Sequence, residues 1–379
     1  MALELTEQQL LLRDSMSKFL SARYGPEARR EVLTGELGWS PEIWRALAEE
    51  LGVLGASFPE ELGGLGGGPV DVLVLMEELG RALLLEPFLE TVVLGGGLLK
   101  RSGTPLAREV ITKVIAGEAR LAFAYCEPQA RYAWNDVQTQ AERRGADFVL
   151  NGRKAVVSGA PSSTHLLVSA RTSGGRLERA GVTVFIVDPR ASGVSMRPYR
   201  TIDGRLAAEV SFENVSVSAE AALSQPDAAG DMIEAALDEA AAAACAEAAG
   251  VLERLVSGTV AYTKERRQFG VPIASFQALQ HRMVDMFIQA QQASSMSHMA
   301  AAQLTKPPEV RARAVSAAKA FVGDACRVVG QSAIQLHGAM GITDELPISH
   351  YFKRALAIEN QYGSTDYHLA RYQQLTSLH

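Results

Sequence analysis

The stretch YTKERRQFGVPI, residues 262–273, decides how the chain is read. It closes a long Ala-rich run of helical character with two adjacent arginines, then Gln268, Phe269, Gly270 and, two residues on, Pro272. Gly with Pro close behind is an ordinary helix stop and says little by itself. An aromatic and an amide at such a tip, beside two guanidinium groups, are less ordinary. Arg266 and Arg267 can serve as partners of the helix dipole with Phe269 as a hydrophobic cap. Alternatively, an Arg fork meets a pyrophosphate and the Phe ring meets an adenine.

Working outward, the chain separates into three blocks by periodicity. Block 1–120 reads as helices. Thr6 and Gln9 form a capping box before QLLLRDSMSKFL, and Ser40-Pro41 places a cap and a first-turn proline before EIWRALAEELG, which stops at Gly52. The glycines at 63–64 and 66–68 precede VDVLVLMEELGRALL; with no strand before them and no Lys-Ser/Thr after, they read as a flexible connection. Block 121–226 changes to short runs of strand character, ARLAFAYCEP, DFVLNGRKAVVSG, THLLVSAR, GVTVFIVDP and AAEVSFENVSV, punctuated by turn signals such as Asn151-Gly152, Gly174-Gly175 and Asp203-Gly204. Regular hairpin spacing predicts a small antiparallel barrel or sandwich. Block 227–379 returns to long helices with short links, which predicts a four-helix bundle. The fold class expected is thus mostly α with a central β domain.

Composition narrows the function classes. At 379 residues the chain is long for one domain but comfortable for two or three layers sharing a core. A net charge of -6 with both signs dispersed gives no footprint for nucleic acid or an anionic membrane surface. Cys126, Cys245 and Cys326 are too scattered for a disulfide framework or a metal site, so no metal is expected. The opening MALELTEQQ lacks a secretion or transit pattern, and the Ala-rich stretch is broken by Glu234, Asp238, Glu239 and Glu247, too often for a bilayer span. A cytoplasmic protein is expected.

Four motifs then fall in one order along nearly the whole chain. Residues 266–272 resemble the RxxFGxP signature of the acyl-CoA dehydrogenase family of flavoproteins. Gln335-Leu336-His337-Gly338-Ala339-Met340-Gly341 is similar to the family's QxxGGxG, and Tyr362-Gly363-Ser364-Thr365 stands at the site of its YEGT. Glu127-Pro128, with Asn151-Gly152-Arg153-Lys154 downstream, resembles its EP…NGxK segment. The resemblance implies an N-terminal helical domain, a middle β domain and a C-terminal helical bundle. It also implies FAD, an acyl-CoA substrate oxidised to trans-2-enoyl-CoA, and an electron-transfer flavoprotein or similar acceptor.

The resemblance is uneven where it matters chemically. In the family a carboxylate takes the proton next to the thioester carbonyl, and that carboxylate is usually the Glu of YEGT. Here the position is Gly363, and the alternative family position on the first bundle helix is Ala240, so both are empty. Glu247 is the candidate base that remains. At about 100° per residue it falls on the stripe of Ile233, Ala240, Ala244 and Val251, and a carboxylate on an apolar face has a raised pKa that suits a general base. Glu234, Asp238 and Glu253 fall farther round and read as solvated. Pairing of Glu247 with Arg254 or another cation is the competing reading. His337, in the QxxGGxG-like turn, is a second acid–base candidate, with a structural hydrogen bond the favoured role.

The flavin contacts implied by the family divide in two. Those that one subunit donates to its neighbour's FAD are present as Arg266, Gln268, Phe269, Gln335 and Gly338. Those that hold a ring in the same subunit are altered: Cys126 where Ser or Thr is common, Val156 for Trp, Ser158 for Thr and Gly363 for Glu, with Thr365 kept. This pattern is most similar to the small subunits of two-component, heterotetrameric bacterial acyl-CoA dehydrogenases, which act on dicarboxylic or bulky acyl chains such as steroid side chains. A homo- or hetero-oligomer with a related, paralogous subunit is expected. Two function classes stay open: a dehydrogenase or subunit of one, and a non-catalytic partner that completes a neighbour's FAD site. A flavin monooxygenase or nitroalkane-type oxidase on the same fold is a distant third.

Overall fold

The structure, a computed structural model, describes residues 4–377. Its helices are α1 (Glu7–Arg23), α2 (Pro26–Thr34), α3 (Pro41–Glu49), α4 (Pro69–Ala82), α5 (Gly96–Ser102), α6 (Pro105–Ile115) and α7 (Gly230–Glu265), followed by α8 (Gln277–Gln303), α9 (Pro308–His337), α10 (Pro347–Asn360) and α11 (Thr365–Ser377). The strands are β1 (Leu121–Ala124), β2 (Gln140–Arg144), β3 (Asp147–Ser158), β4 (His165–Arg171), β5 (Val182–Val187), β6 (Val194–Arg200) and β7 (Leu206–Val217), then the short pair β8 (Arg267–Gln268) and β9 (Val271–Pro272). The chain divides into two compact units. One comprises Met1–Glu31, Pro69–Leu84 and Ala241–His379; the other comprises Val32–Gly68 and Leu85–Ala240.

The helical unit rests on small residues. Thr6 Oγ1 accepts from Gln9 N and Gln9 Oε1 accepts from Thr6 N, the capping box that starts α1. Alanine favours the helix and leaves no bulk, so α7 is buried on every side between Ala241 and Leu252. Two glycines set its crossing with α4: a Cβ at Gly80 would lie 2.1 Å from Glu247 O, and one at Gly250 would lie 2.0 Å from Glu77 O. The backbones therefore touch. Residues 277–289 of α8 behave oppositely, since only Met286 in this turn sequence is buried while Val284, Phe287 and Ile288 are exposed.

The second unit carries one seven-stranded sheet in the order β1-β4-β2-β3-β7-β6, with β5 on β4. It curls around a core of Phe148, Leu150, Phe185, Val210 and Phe212, in which the Phe148 and Phe185 rings lie 5.1 Å apart. Helix α3 begins as its sequence indicates, with Ser40 Oγ accepting from Ile43 N at 3.2 Å.

Several expectations are corrected. The sheet is not wholly antiparallel, because β1 and β2 both pair in parallel with β4. Strands β2 and β6 lack an apolar run; β6 carries Pro198, which is tolerated because β6 is an edge strand. Asn151-Gly152 is no hairpin turn but a register shift inside β3, held by Asn214 N donating to Asn151 Oδ1 at 2.8 Å. Asp238, expected in solvent, is buried. Glu234, half-buried, pairs with Arg179 and accepts from Trp134 Nε1, whereas Glu253 is exposed as expected and pairs with Arg81.

Candidate functional site

The helical run through residue 262 ends earlier than its sequence suggests. Helix α7 stops at Glu265, and Arg267 and Gln268 turn into β8, paired with Pro272 and Val271 of β9. At the tip, Phe269 (φ 54°) and Gly270 (φ 80°) both have positive φ, the pattern of a tight two-residue hairpin. Gly takes this conformation freely, whereas a bulky residue there is an outlier. Phe269 is nevertheless 92% exposed, its ring meeting only the edge of Phe276 at 6.1 Å among the described ring contacts. Arg266, Arg267 and Gln268 are exposed as well. A strained, solvated aromatic contributes little to the stability of its own chain, so its conformation points to a binding role.

The second motif stands beside the first. Helix α9 ends at His337, and Gly338 (φ 62°) breaks it, leaving Gln335 and Gly338 exposed. The buried His337 ring stacks on Tyr262 at 4.2 Å, while Tyr262 Oη donates to His337 O at 3.4 Å. That contact holds the last turns of α7 and α9 side by side, so Arg266, Gln268, Phe269, Gln335 and Gly338 share one end of the helical unit. His337 Nδ1 donates to Ala333 O at 2.8 Å, and burial pushes the ring's pKa down. The imidazole acts as a spacer between two helix ends.

The third motif forms the turn between α10 and α11. Lys319, fully buried on α9, donates from Nζ to Glu359 O at 3.0 Å and Gly363 O at 2.8 Å. Ser364 Oγ accepts from Tyr367 N at 3.3 Å, and Thr365 Oγ1 donates to Ala320 O at 3.4 Å. Glu247 lies elsewhere in the same unit, with no solvent exposure. Its carboxylate is gripped by a fork, Arg354 Nε to Oε1 at 2.8 Å and Nη2 to Oε2 at 2.6 Å, and Arg354 Nη2 also donates to Gln361 Oε1 at 3.0 Å. The cation is Arg354, not Arg254. Lys319, Arg354 and His368 escaped the sequence reading, although the wheel argument used for Glu247 would have flagged cations on the apolar faces of α9 and α10.

In the second unit the EP…NGxK segment is a buried ion pair. Lys154 Nζ lies 2.8 Å from Glu127 Oε1 and 3.0 Å from Ser169 Oγ. Glu127 also accepts from Gln138 N at 2.8 Å, Thr139 N at 3.0 Å and Gln129 Nε2 at 2.9 Å. Burial alone would push this carboxyl up, but the ammonium and the amide donors outweigh it and hold the pKa at about 2. Next to it, Cys126 O accepts from Ala155 N at 2.9 Å, and burial pushes the Cys126 thiol up, so it stays protonated. Between Lys154 and Val157 the register with β7 slips, turning out Val156 (φ 50°, 56% exposed) just before Ser158, which pairs with Ala207. A β-branched residue at positive φ is strained, so this bulge is a built feature.

The Glu127–Lys154 pair makes acid stability testable. A carboxyl held below its usual value of 4.5 stabilises the fold above that pH, and the contribution is lost as pH falls toward about 2. Glu127→Gln should flatten the stability–pH curve between about pH 5 and 2, read by denaturant unfolding at each pH. An unchanged slope would remove the pair from the acid response.

Among the described residues, no cluster of His, Cys, Asp or Glu could hold a metal ion, and no helix is long and apolar enough to cross a membrane. Comparison with known proteins covers the whole described chain. Profiles of the acyl-CoA dehydrogenase N-terminal, middle and C-terminal domains match residues 6–118, 122–215 and 230–374. The acyl-CoA dehydrogenase IpdE2 of Mycobacterium tuberculosis H37Rv is 32% identical over 349 residues, covering 92% of this chain and 91% of the relative. Among solved structures, a variant of the Tcur3481-Tcur3483 steroid ACAD superposes with a TM-score of 0.87 at 28% identity, over 98% of both chains. The ChsE4-ChsE5 complex from Mycobacterium tuberculosis gives a TM-score of 0.90 at 26% identity, over 100% of this chain and 99% of the other.

Proposed function

The chain belongs to the acyl-CoA dehydrogenase family, and from that premise we propose that it is one subunit of a two-component, FAD-dependent acyl-CoA dehydrogenase. The assembly would convert an acyl-CoA thioester to its trans-2-enoyl-CoA, with the base for α-proton removal supplied by a related partner subunit. The observation that carries this reading is the contrast between Phe269, presented strained and exposed at its hairpin tip, and position 363, which has no side chain.

The residues present fit FAD in two places. At the helical end, Arg266 can hold a pyrophosphate oxygen, Phe269 offers a face for the adenine, and Gln268, Gln335 and the open backbone at Gly338 add hydrogen-bonding capacity. A Cβ at Gly338 would meet nothing within 4 Å, so a ligand can approach the backbone closely. In the β unit, Cys126 and Ser158 are assigned to whatever flavin ring this chain holds itself. Bound FAD supplies the hydride-accepting chemistry, with an electron-transfer flavoprotein or similar acceptor downstream; the protein supplies orientation and proton handling. Glu247 is assigned to positioning: a fork with Arg354 holds its carboxylate in place and uses both oxygens. Likeness to a steroid ACAD and to the ChsE4-ChsE5 complex supports a bulky acyl group and a heteromeric assembly. Exposed Val284, Phe287 and Ile288 on α8 supply apolar surface for that assembly.

The test is co-expression with a paralogous subunit, followed by oligomer mass and flavin content. Arg266→Ala should weaken FAD retention by the complex by on the order of 1–3 kcal/mol, the worth of a charge-assisted hydrogen bond. A monomer that keeps one FAD per chain after that change and turns over alone would overturn the proposal.

A further inference from the structure

Position 363 is not simply vacant. Tyr362 (φ 60°) and Gly363 (φ 119°) both sit in left-handed backbone, and for residue 363 only glycine does so without strain. A Cβ built there would lie 2.5 Å from His368 Nε2 and 2.6 Å from Tyr367 Cδ1, below any separation real Cβ atoms show. The neighbouring rings cannot simply swing aside. His368 is 1% exposed, Nε2 donates to Tyr362 O at 3.0 Å, and the Tyr367 ring meets it edge-on at 5.1 Å. Its backbone is fixed too, with His368 N donating to Ser364 O in the first turn of α11. From the other side, Lys319 holds the Gly363 carbonyl.

We propose that His368 and Tyr367 plug the space from which a carboxylate at position 363 would act, so that the loss of the base is built into the packing of residues 362–368. This rests on the chain being a subunit without its own base. The imidazole does not replace that base. With Nε2–H committed to a carbonyl, its lone pair lies on Nδ1, which is buried and has no hydrogen-bond partner among the described residues. Burial, with Lys319 nearby, pushes its pKa down to about 3, and the ring stays neutral. A single Gly363→Glu reversion therefore cannot restore a self-sufficient dehydrogenase.

A double-mutant cycle in the full chain with its partner tests this, using Gly363→Ala and His368→Gly, with melting temperature and flavin content as readouts. Backbone strain at 363 is common to both backgrounds and cancels in the cycle. Gly363→Ala should lower the melting temperature sharply in the native background and much less beside His368→Gly. Equal shifts in the two backgrounds, or no shift from Gly363→Ala alone, would overturn the plug. Gly363→Glu with His368→Gly is then assayed for acyl-CoA oxidation alone. Stability coupling without activity would leave the plug standing and count against the dehydrogenase reading.

Discussion

Arg354→Met, with Glu247 left in place, should destabilise the helical unit by about 3–5 kcal/mol, because it strands a buried carboxylate that now receives two charge-assisted bonds. Glu247→Leu in the same chain should recover most of that loss, since replacing both members of a buried pair with apolar groups of similar volume is often near neutral. Denaturant unfolding of the single and double variants decides the matter; additivity would mean the fork is not a coupled unit. Glu247→Gln separates positioning from proton transfer. A positioning role predicts lower stability with unchanged turnover per folded molecule. A rate lowered by ~10²–10⁴-fold at intact stability would instead make Glu247 the base.

Two glycines on one helix should respond with opposite signs. Gly250→Ala places a methyl 2.0 Å from Glu77 O, a backbone atom that cannot rotate away, so α4 and α7 must part. The loss should be about 3 kcal/mol, at the upper end for overpacking. Gly258→Ala, whose nearest neighbour is Ile348 Cδ1 at 3.6 Å, should be neutral or stabilise by roughly 0.5–1 kcal/mol by removing a helix-interior glycine. Equal effects at the two positions would show that helix propensity, not the crossing, governs this region.

Much of the fold could be read from the chain because its signals are local. Caps at Thr6 and Ser40, alanine in α7 and the apolar runs of β4 and β5 each act within a few residues. What escaped depends on which partner each segment meets, near or far in sequence. Strand β2 is recognisable only once β3 lies against it, and Asn151-Gly152 reads as a turn until Asn214 fills its hydrogen bond. The candidate site divides the same way. Motif spacing nominates Arg266, Phe269, Gln335 and Thr365, but nothing near Glu247 announces Arg354, and the local pattern does not show that His368 occupies the side-chain space of Gly363.

The composition of the two units also dictates an order of events during synthesis. The unit built from Val32–Gly68 and Leu85–Ala240 has all of its chain outside the ribosome well before translation ends. The helical unit does not. Its residues up to Leu84 must wait for the backbone at Glu247 and Gly250 against which Gly80 and Glu77 close, and then for Arg354 to neutralise Glu247. Contacts this far apart in sequence are slow to form, because the loop between them loses its entropy before any contact forms. Until then α1 and α4 can pack only on each other, and the face of α4 that closes on α7 stays open, so apolar surface is exposed early in synthesis.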